Sequence, residues 1–286
     1  MSKSPFNTLA DVIAHRFGQG TVGKGQSGSD MPADDPLAEI LLRRTHRRYT
    51  DQPISDDLLD VLFATAFSAS AKSDLQQASV IVVKNKEKRE AIGKLIPRMP
   101  WITAAPVFMV WIGDSRRIRR ICELRGKPFG NDHLDAFLNA GVDAALAMQT
   151  FILAAEKKGL GSCPISVVRN HIEAIADILE LPLYTFIVAG LCVGWPSQEG
   201  FISMRLPPKV TVHTDRYDDW DLNEELAGYD KRRAERFSMP ESSQKMTDTY
   251  GVADFYGWSE DKAHQVSTAE REQLGRFVRA RGIRTD

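Results

Sequence analysis

With 286 residues, 43% of them hydrophobic and 26% charged, the chain is long enough for one large globular domain or two small ones. Thirty-seven Lys and Arg against 38 Asp and Glu leave a formal net charge of -1, without the basic excess of a nucleic-acid binder. No run of 18 apolar residues occurs, and the first 20 residues hold no apolar core of signal-peptide length, so neither a membrane partner nor secretion is expected. Cys122, Cys163 and Cys192 are too sparse for a disulfide framework or a zinc spacing, which points to a reducing cytoplasm.

In chain order, residues 1–36 read as a flexible N-terminal arm. A short amphipathic piece (Leu9, Val12, Ile13, Phe17) runs into a stretch rich in Gly, Ser, Asp and Pro that cannot bury enough apolar surface to offset its ordering entropy. A helix is expected from Asp35-Pro36, with Leu37, Ile40 and Leu41 on one face. Ser55 caps the next, whose stripe is Leu58, Leu59, Leu62, Phe63 and Ala66. Residues 78–83 and 105–113 read as strands, with a short helix between them. Residues 132–158 are apolar around most of a helical circumference, so that helix should be central, with Gly159 just past its end. Asn170 and Glu173 have the spacing of a capping box, and 185–194 is a third strong strand. From about 215 the chain is polar and helical. The strand rhythm is too irregular for a parallel βαβ series, so the fold expected is α+β, a small central sheet wrapped by long helices.

The glycine-rich run Gly18–Gly25 nearly matches a phosphate loop. It lacks the preceding strand, the following helix and the hydroxyl after the lysine, so it reads as a linker. Arg43-Arg44-Thr45-His46-Arg47-Arg48 is denser in cations than any other segment; it suits either a phosphate or a solvated charge run. Cys192 lies in an apolar strand and neither it nor Cys163 has a basic neighbour in sequence, so thiol catalysis is not expected. The six histidines lack metal-ligand spacing, and no acyl-transfer elbow is present. A cationic loop on an α+β core with no acid, base, nucleophile or metal set suits chemistry carried by a bound cofactor.

The segment RRTHRRYTDQPIS resembles the N-terminal signature of the nitroreductase family, an Arg-Ser/Thr-x-Arg-x-Phe/Tyr pattern followed by Pro-Ile-Ser. The block GLGSCPISVVRNHIEAIADILELPLYTFIVAGLCVGWP is similar to that family's second signature, in the branch of oxygen-insensitive NADPH nitroreductases and flavin reductases. The resemblance covers roughly residues 37–215. It implies a nitroreductase-like α+β fold, an intertwined homodimer, and FMN bound at the subunit interface. It also implies a division into the arm 1–36, a flavin-binding core 37–215 and a helical extension 216–286.

By that resemblance Arg43, Arg44, Thr45 and Arg47 would hold the FMN phosphate and ribityl end, and Arg205 would return to the same phosphate. Lys72, Ser73 and Gln76 would meet the edge of the flavin ring, and Pro164, Ile165 and Ser166 would pass over it. The implied activity is hydride transfer from NADPH or NADH through FMN to an electron-poor small molecule such as a nitroaromatic, quinone or flavin. No side chain is assigned a catalytic role. The family usually has Tyr-Ile-Gly-Gly where Pro164-Ile165-Ser166-Val167 stands here, which leaves room for another reaction such as reductive dehalogenation, or for a binding module without turnover.

Overall fold

The computed structural model describes residues 5–286. In chain order the elements are α1 (Leu9–Phe17), α2 (Pro36–Leu42), α3 (Asp56–Ala66), β1 (Ala78–Val82), α4 (Lys86–Leu95), α5 (Trp101–Ala104), β2 (Val107–Asp114), α6 (Arg116–Leu124), α7 (Leu134–Lys157), β3 (Gly161–Ile165), α8 (Ile172–Ile178), β4 (Thr185–Gly194), α9 (Pro208–Thr211), α10 (Leu222–Arg236), α11 (Thr247–Tyr250), α12 (Trp258–Val266) and α13 (Leu274–Ala280). They form two compact units. The first joins the chain up to Arg43 with Ile202–Glu270, and the second joins Arg44–Phe201 with Arg271–Asp286. The chain crosses between the units just ahead of Arg44.

The second unit is built on an antiparallel sheet of order β1-β2-β4-β3. The inner strands β2 and β4 are apolar nearly throughout because both faces of the sheet are covered. Alternation along β2 sorts the two layers. Val107, Met109 and Trp111 pack with Leu59, Leu62 and Phe151 beneath α3 and α7. Phe108, Val110 and Ile112 pack with Ile92, Ile172, Ile175, Phe277 and Val278 from α4, α8 and α13.

By length and composition α7 could cross a bilayer, which the absence of an 18-residue apolar run did not suggest. It is instead the core helix of this layer. Its inner face is mostly alanine (Ala136, Ala140, Ala144, Ala147, Ala155), which lets it lie close on the sheet. Gly159 ends it with φ +81°, a conformation glycine adopts without strain. Ser55 caps α3 as expected, accepting from Leu58 N at 3.2 Å. The box expected at Asn170 and Glu173 does not form: Asn170 Oδ1 accepts from Arg271 Nε at 2.8 Å, and Glu173 pairs with Arg276.

In the first unit, residues expected to be part of a flexible arm form a capped helix. Thr8 Oγ1 accepts from Asp11 N at 3.3 Å, and the Asp11 carboxylate accepts from Thr8 N at 2.9 Å. Leu9 and Val12 are buried against Ala38 of α2, with Met31 and Leu42 alongside. A small residue at 38 admits this contact, so α2 buries Ala38, packs Leu41 beside it, and leaves Leu37 and Ile40 of the apolar face exposed.

Candidate functional site

In the second unit the cationic segment lies along the outer side of β3. Thr45 bridges Ser162 in parallel, and His46 N donates to Ser162 O at 2.9 Å. The approach is close: a Cβ on Gly161 would stand 2.6 Å from His46. Tyr49 locks the segment's far end, its hydroxyl donating to the His46 carbonyl at 2.5 Å. Burial pushes that phenol's pKa up, so it remains a donor.

Arg47 sits 5.7 Å from the centroid of the Trp101 ring and beside the Cys163 thiol. Burial raises the Cys163 pKa, and the Arg47 charge offsets part of that rise. Cys192, directly opposite on β4, is raised by burial more strongly. Cys163 thus gains a cationic neighbour that its sequence surroundings did not show, yet both thiols stay protonated at neutral pH and neither is an activated nucleophile. Arg44 donates to the exposed Glu199 carboxylate at 2.6 Å and to Gly200 O at 3.0 Å.

Between the buried Cys163 and Ile165, Pro164 faces outward from the edge strand, where a missing N–H costs no ladder bond. Ser166 follows with φ -79°, and neither it nor Val167 has positive φ. Serine and valine therefore stand here without backbone strain. Arg271 reaches this tract from far down the chain, its Nη2 donating to Ser166 Oγ at 3.4 Å and its Nε to Asn170. Sequence reading missed Arg271 and Trp101; the only hint of Arg271 was Asn170, which read as a cap.

Lys72, Ser73 and Gln76 are not brought to this cluster. Their loop enters β1, the opposite edge strand. Beside it lies a cavity of about 620 Å³ lined by Ser68, Ser70, Asp74, Gln76, Ser79 and Arg117, among others. Three non-glycine residues of the loop are left-handed, Ser73 (φ 47°), Asp74 (φ 56°) and Gln76 (φ 52°).

Arg43 and Arg205 belong to the first unit, where a third arginine joins their segments. Arg16, 5% exposed, donates to Ser203 O at 2.9 Å and to Arg43 O at 3.1 Å, and its own carbonyl accepts from Arg205 N at 2.8 Å. A cavity of about 550 Å³ here is lined by Arg205, Arg233, Lys262, Tyr229 and Trp258 among others.

Residues 40–195 match the model of the nitroreductase family, and residues 203–286 match that of the nitroreductase family C-terminal domain. The FMN reductase [NAD(P)H] of Bacillus subtilis is 32% identical over 227 residues, spanning 78% of this chain and 91% of its own. The oxygen-insensitive NADPH nitroreductase of Salmonella typhimurium is 34% identical over 217 residues, 75% of this chain and 88% of its own. Among solved structures, NfrA2 of B. megaterium superposes with a TM-score of 0.78 at 30% identity, covering 87% of this chain and 98% of that one. The NADPH:FMN oxidoreductase of Vibrio harveyi, complexed with NAD+, gives 0.75 at 25% identity, over 86% and 97%. The chain belongs to the nitroreductase family.

Proposed function

We propose that the protein is an FMN-dependent NAD(P)H oxidoreductase acting on electron-poor small molecules. The observation that carries this reading is the seating of the cationic 44–47 segment on β3 beside Pro164–Ser166. That arrangement sets phosphate-binding and ring-covering chemistry next to each other. Two guanidinium forks (Arg44, Arg47) and a hydroxyl (Thr45) suit a phosphate and a ribityl chain. The outward Pro164, with the backbone through Ile165 and Ser166, offers a flat face for an aromatic ring. Arg271 adds positive charge beside Ser166, where it would favour negative charge on a ring bound over this tract. Bound FMN supplies a ring that takes hydride from NAD(P)H and delivers it to an acceptor such as a nitroaromatic, a quinone or a free flavin. Arg43 and Arg205 retain a phosphate-binding role in this proposal.

The same reading makes the protein a homodimer. The 44–47 cluster lies on β3 and the 72–76 loop on β1, the two outer strands of a four-stranded sheet. Three strand spacings, roughly 14 Å, separate them across the sheet. One flavin meets both features if a second copy brings its own loop to this copy's β3 edge. Leu134, Leu138, Val142 and Leu146 form an exposed ridge at four-residue spacing along α7, a surface that such a partner would cover. That Cys122, Cys163 and Cys192 are all free thiols fits a cytoplasmic location.

The protein should purify yellow, release FMN on heating, and bleach when NADPH or NADH is added without oxygen. Apoprotein that takes up no FMN in a fluorescence titration would overturn the proposal.

A further inference from the structure

α7 carries one buried charge on its alanine-rich inner face. Asp143 is 3% exposed, and both of its oxygens are used on the loop ahead of β1: Oδ1 accepts from Lys72 N and Oδ2 from Gln77 N, each at 2.9 Å. The two donors are the first and last backbone amides of a six-residue segment, so one carboxylate closes the segment like a clasp. Within it Ser73, Asp74 and Gln76 hold left-handed backbone, a form that non-glycine residues keep only when their surroundings impose it. A second clamp acts on the carbonyls, as Arg117 donates to Gln76 O and Ala78 O. A buried carboxylate bonded only to backbone N–H groups is costly to keep where alanine serves on either side, at Ala140 and Ala147.

We propose that Asp143 is a positioning residue that holds the 72–77 loop in its left-handed form and so presets the surface the loop offers to the flavin ring. The inference rests on the flavin-binding reading above and extends it to a residue that touches no cofactor. A loop ordered in advance loses less freedom on binding, so its clasp acts on affinity without adding a contact.

The test titrates FMN into apoprotein of the wild type, of Asp143→Asn and of Phe151→Leu. Phe151 packs in the same core layer as α7's inner face, two turns beyond Asp143, and serves as a control for general loosening. Asp143→Asn replaces one acceptor with a donor facing an N–H. It should weaken FMN binding by about 10- to 100-fold, speed amide exchange at Lys72 and Gln77, and shift the visible band of bound flavin. Phe151→Leu should lower the thermal midpoint of the apoprotein while leaving FMN affinity within about twofold and the band in place.

A second pair tests the clasp from the exposed side, where folding is not at stake. Lys72→Pro deletes the N–H that Oδ1 accepts, and Ala71 is already extended (φ -129°, ψ 152°) as a residue before proline must be. It should bind FMN about tenfold more weakly than Lys72→Ala, which removes the side chain alone. Equal affinities in that pair overturn the proposal. So does Asp143→Asn with wild-type affinity, or a Phe151→Leu loss as large as that of Asp143→Asn. Wild-type apoprotein that binds no FMN instead removes the flavin reading itself.

Discussion

Arg47 and Arg44 have the same chemistry but different neighbours, and the neighbours decide what each substitution does. Arg47 lies against the Trp101 ring and the Cys163 thiol, so its fork is held in place before any ligand arrives. A charge-assisted bond contributes about 1.5 to 3 kcal/mol, so Arg47→Ala should weaken FMN binding roughly 10- to 150-fold. Arg47→Lys should recover only part of that, because an ammonium supplies charge without the fork. Arg44 is engaged by Glu199, whose side chain is mostly exposed, and such a pair contributes under about 1 kcal/mol. Glu199→Gln should therefore tighten FMN binding a few-fold at low salt, and the gain should vanish as ionic strength rises. Fluorescence titration of apoprotein at two salt concentrations measures both effects. A tighter complex that persists at high salt would mean that Glu199 does not compete with the ligand for Arg44. The cationic run itself was legible from composition. Its geometry was not, since the backbone contacts that seat it on β3 join residues more than 110 positions apart.

Among the elements, those carrying the strongest hydrophobic pattern were legible to within a residue or two. The buried runs of β2 and β4 stood out because burial on two faces leaves no polar alternation, and α7 because apolar residues cover most of its circumference. What failed was local chemistry that a distant side chain overrides. Asn170 reads as a cap until Arg271, 101 residues later, takes its oxygen. The surplus of apolar residues on α7, more than a monomer needs on one face, already pointed to a partner; which of them form the outward ridge was not legible, since periodicity does not distinguish a buried face from one awaiting a partner. Leu138→Glu combined with Leu146→Glu should split the proposed dimer, giving a sedimentation mass near 31.9 kDa. FMN should be lost in step if, as proposed, one flavin is flanked by the β3 cluster of one copy and the 72–76 loop of another. A monomer retaining wild-type FMN affinity would sink the two-edge site. The approach to α7 offers a pH test. Arg119, buried between the rings of Phe129 and Tyr184, bonds Asp132 and holds its pKa below the ordinary carboxylate value. Asp132 thus adds stability above the unfolded-chain pKa of about 3.9, and that contribution fades as pH falls through the lower folded value. Asp132→Asn should be less stable than wild type at pH 7 and approach it in acid. Urea midpoints across pH 2 to 7 that stay parallel would refute this.

On the scale of the whole chain, the N-terminal segment carries more than its composition suggests. Gly, Ser and Asp dominate residues 18–34, and composition alone argues for a linker there. The amphipathic stretch ahead of them nevertheless finds a partner in Ala38, and its last turn places Arg16 where two other segments of the first unit meet. Nothing local marks Arg16 as different from other surface arginines. Its main bond, to the Ser203 carbonyl, spans 187 residues. Removing it leaves the carbonyls of Ser203 and Arg43 without that donor, and each buried acceptor left unmet costs about 1 to 3 kcal/mol. Arg16→Ala should therefore lower the thermal midpoint, and removal of residues 1–35 should lower it further by also exposing the α2 face that Leu9 and Val12 cover. If Arg16 acts by placing the backbone of Arg43 and Arg205, the loss should also be selective for phosphate. FMN and riboflavin share a ring and a ribityl chain and differ only in that group, so titrating both separates the two effects. Arg16→Ala should weaken FMN several-fold to tenfold and leave riboflavin nearly unchanged, as expected when one charge-assisted contact is misplaced. Arg16→Lys should restore only part of the FMN affinity, because a single ammonium does not span both carbonyls in the fixed geometry of the fork. Equal losses for FMN and riboflavin would show that Arg16 supports the fold without acting on the phosphate.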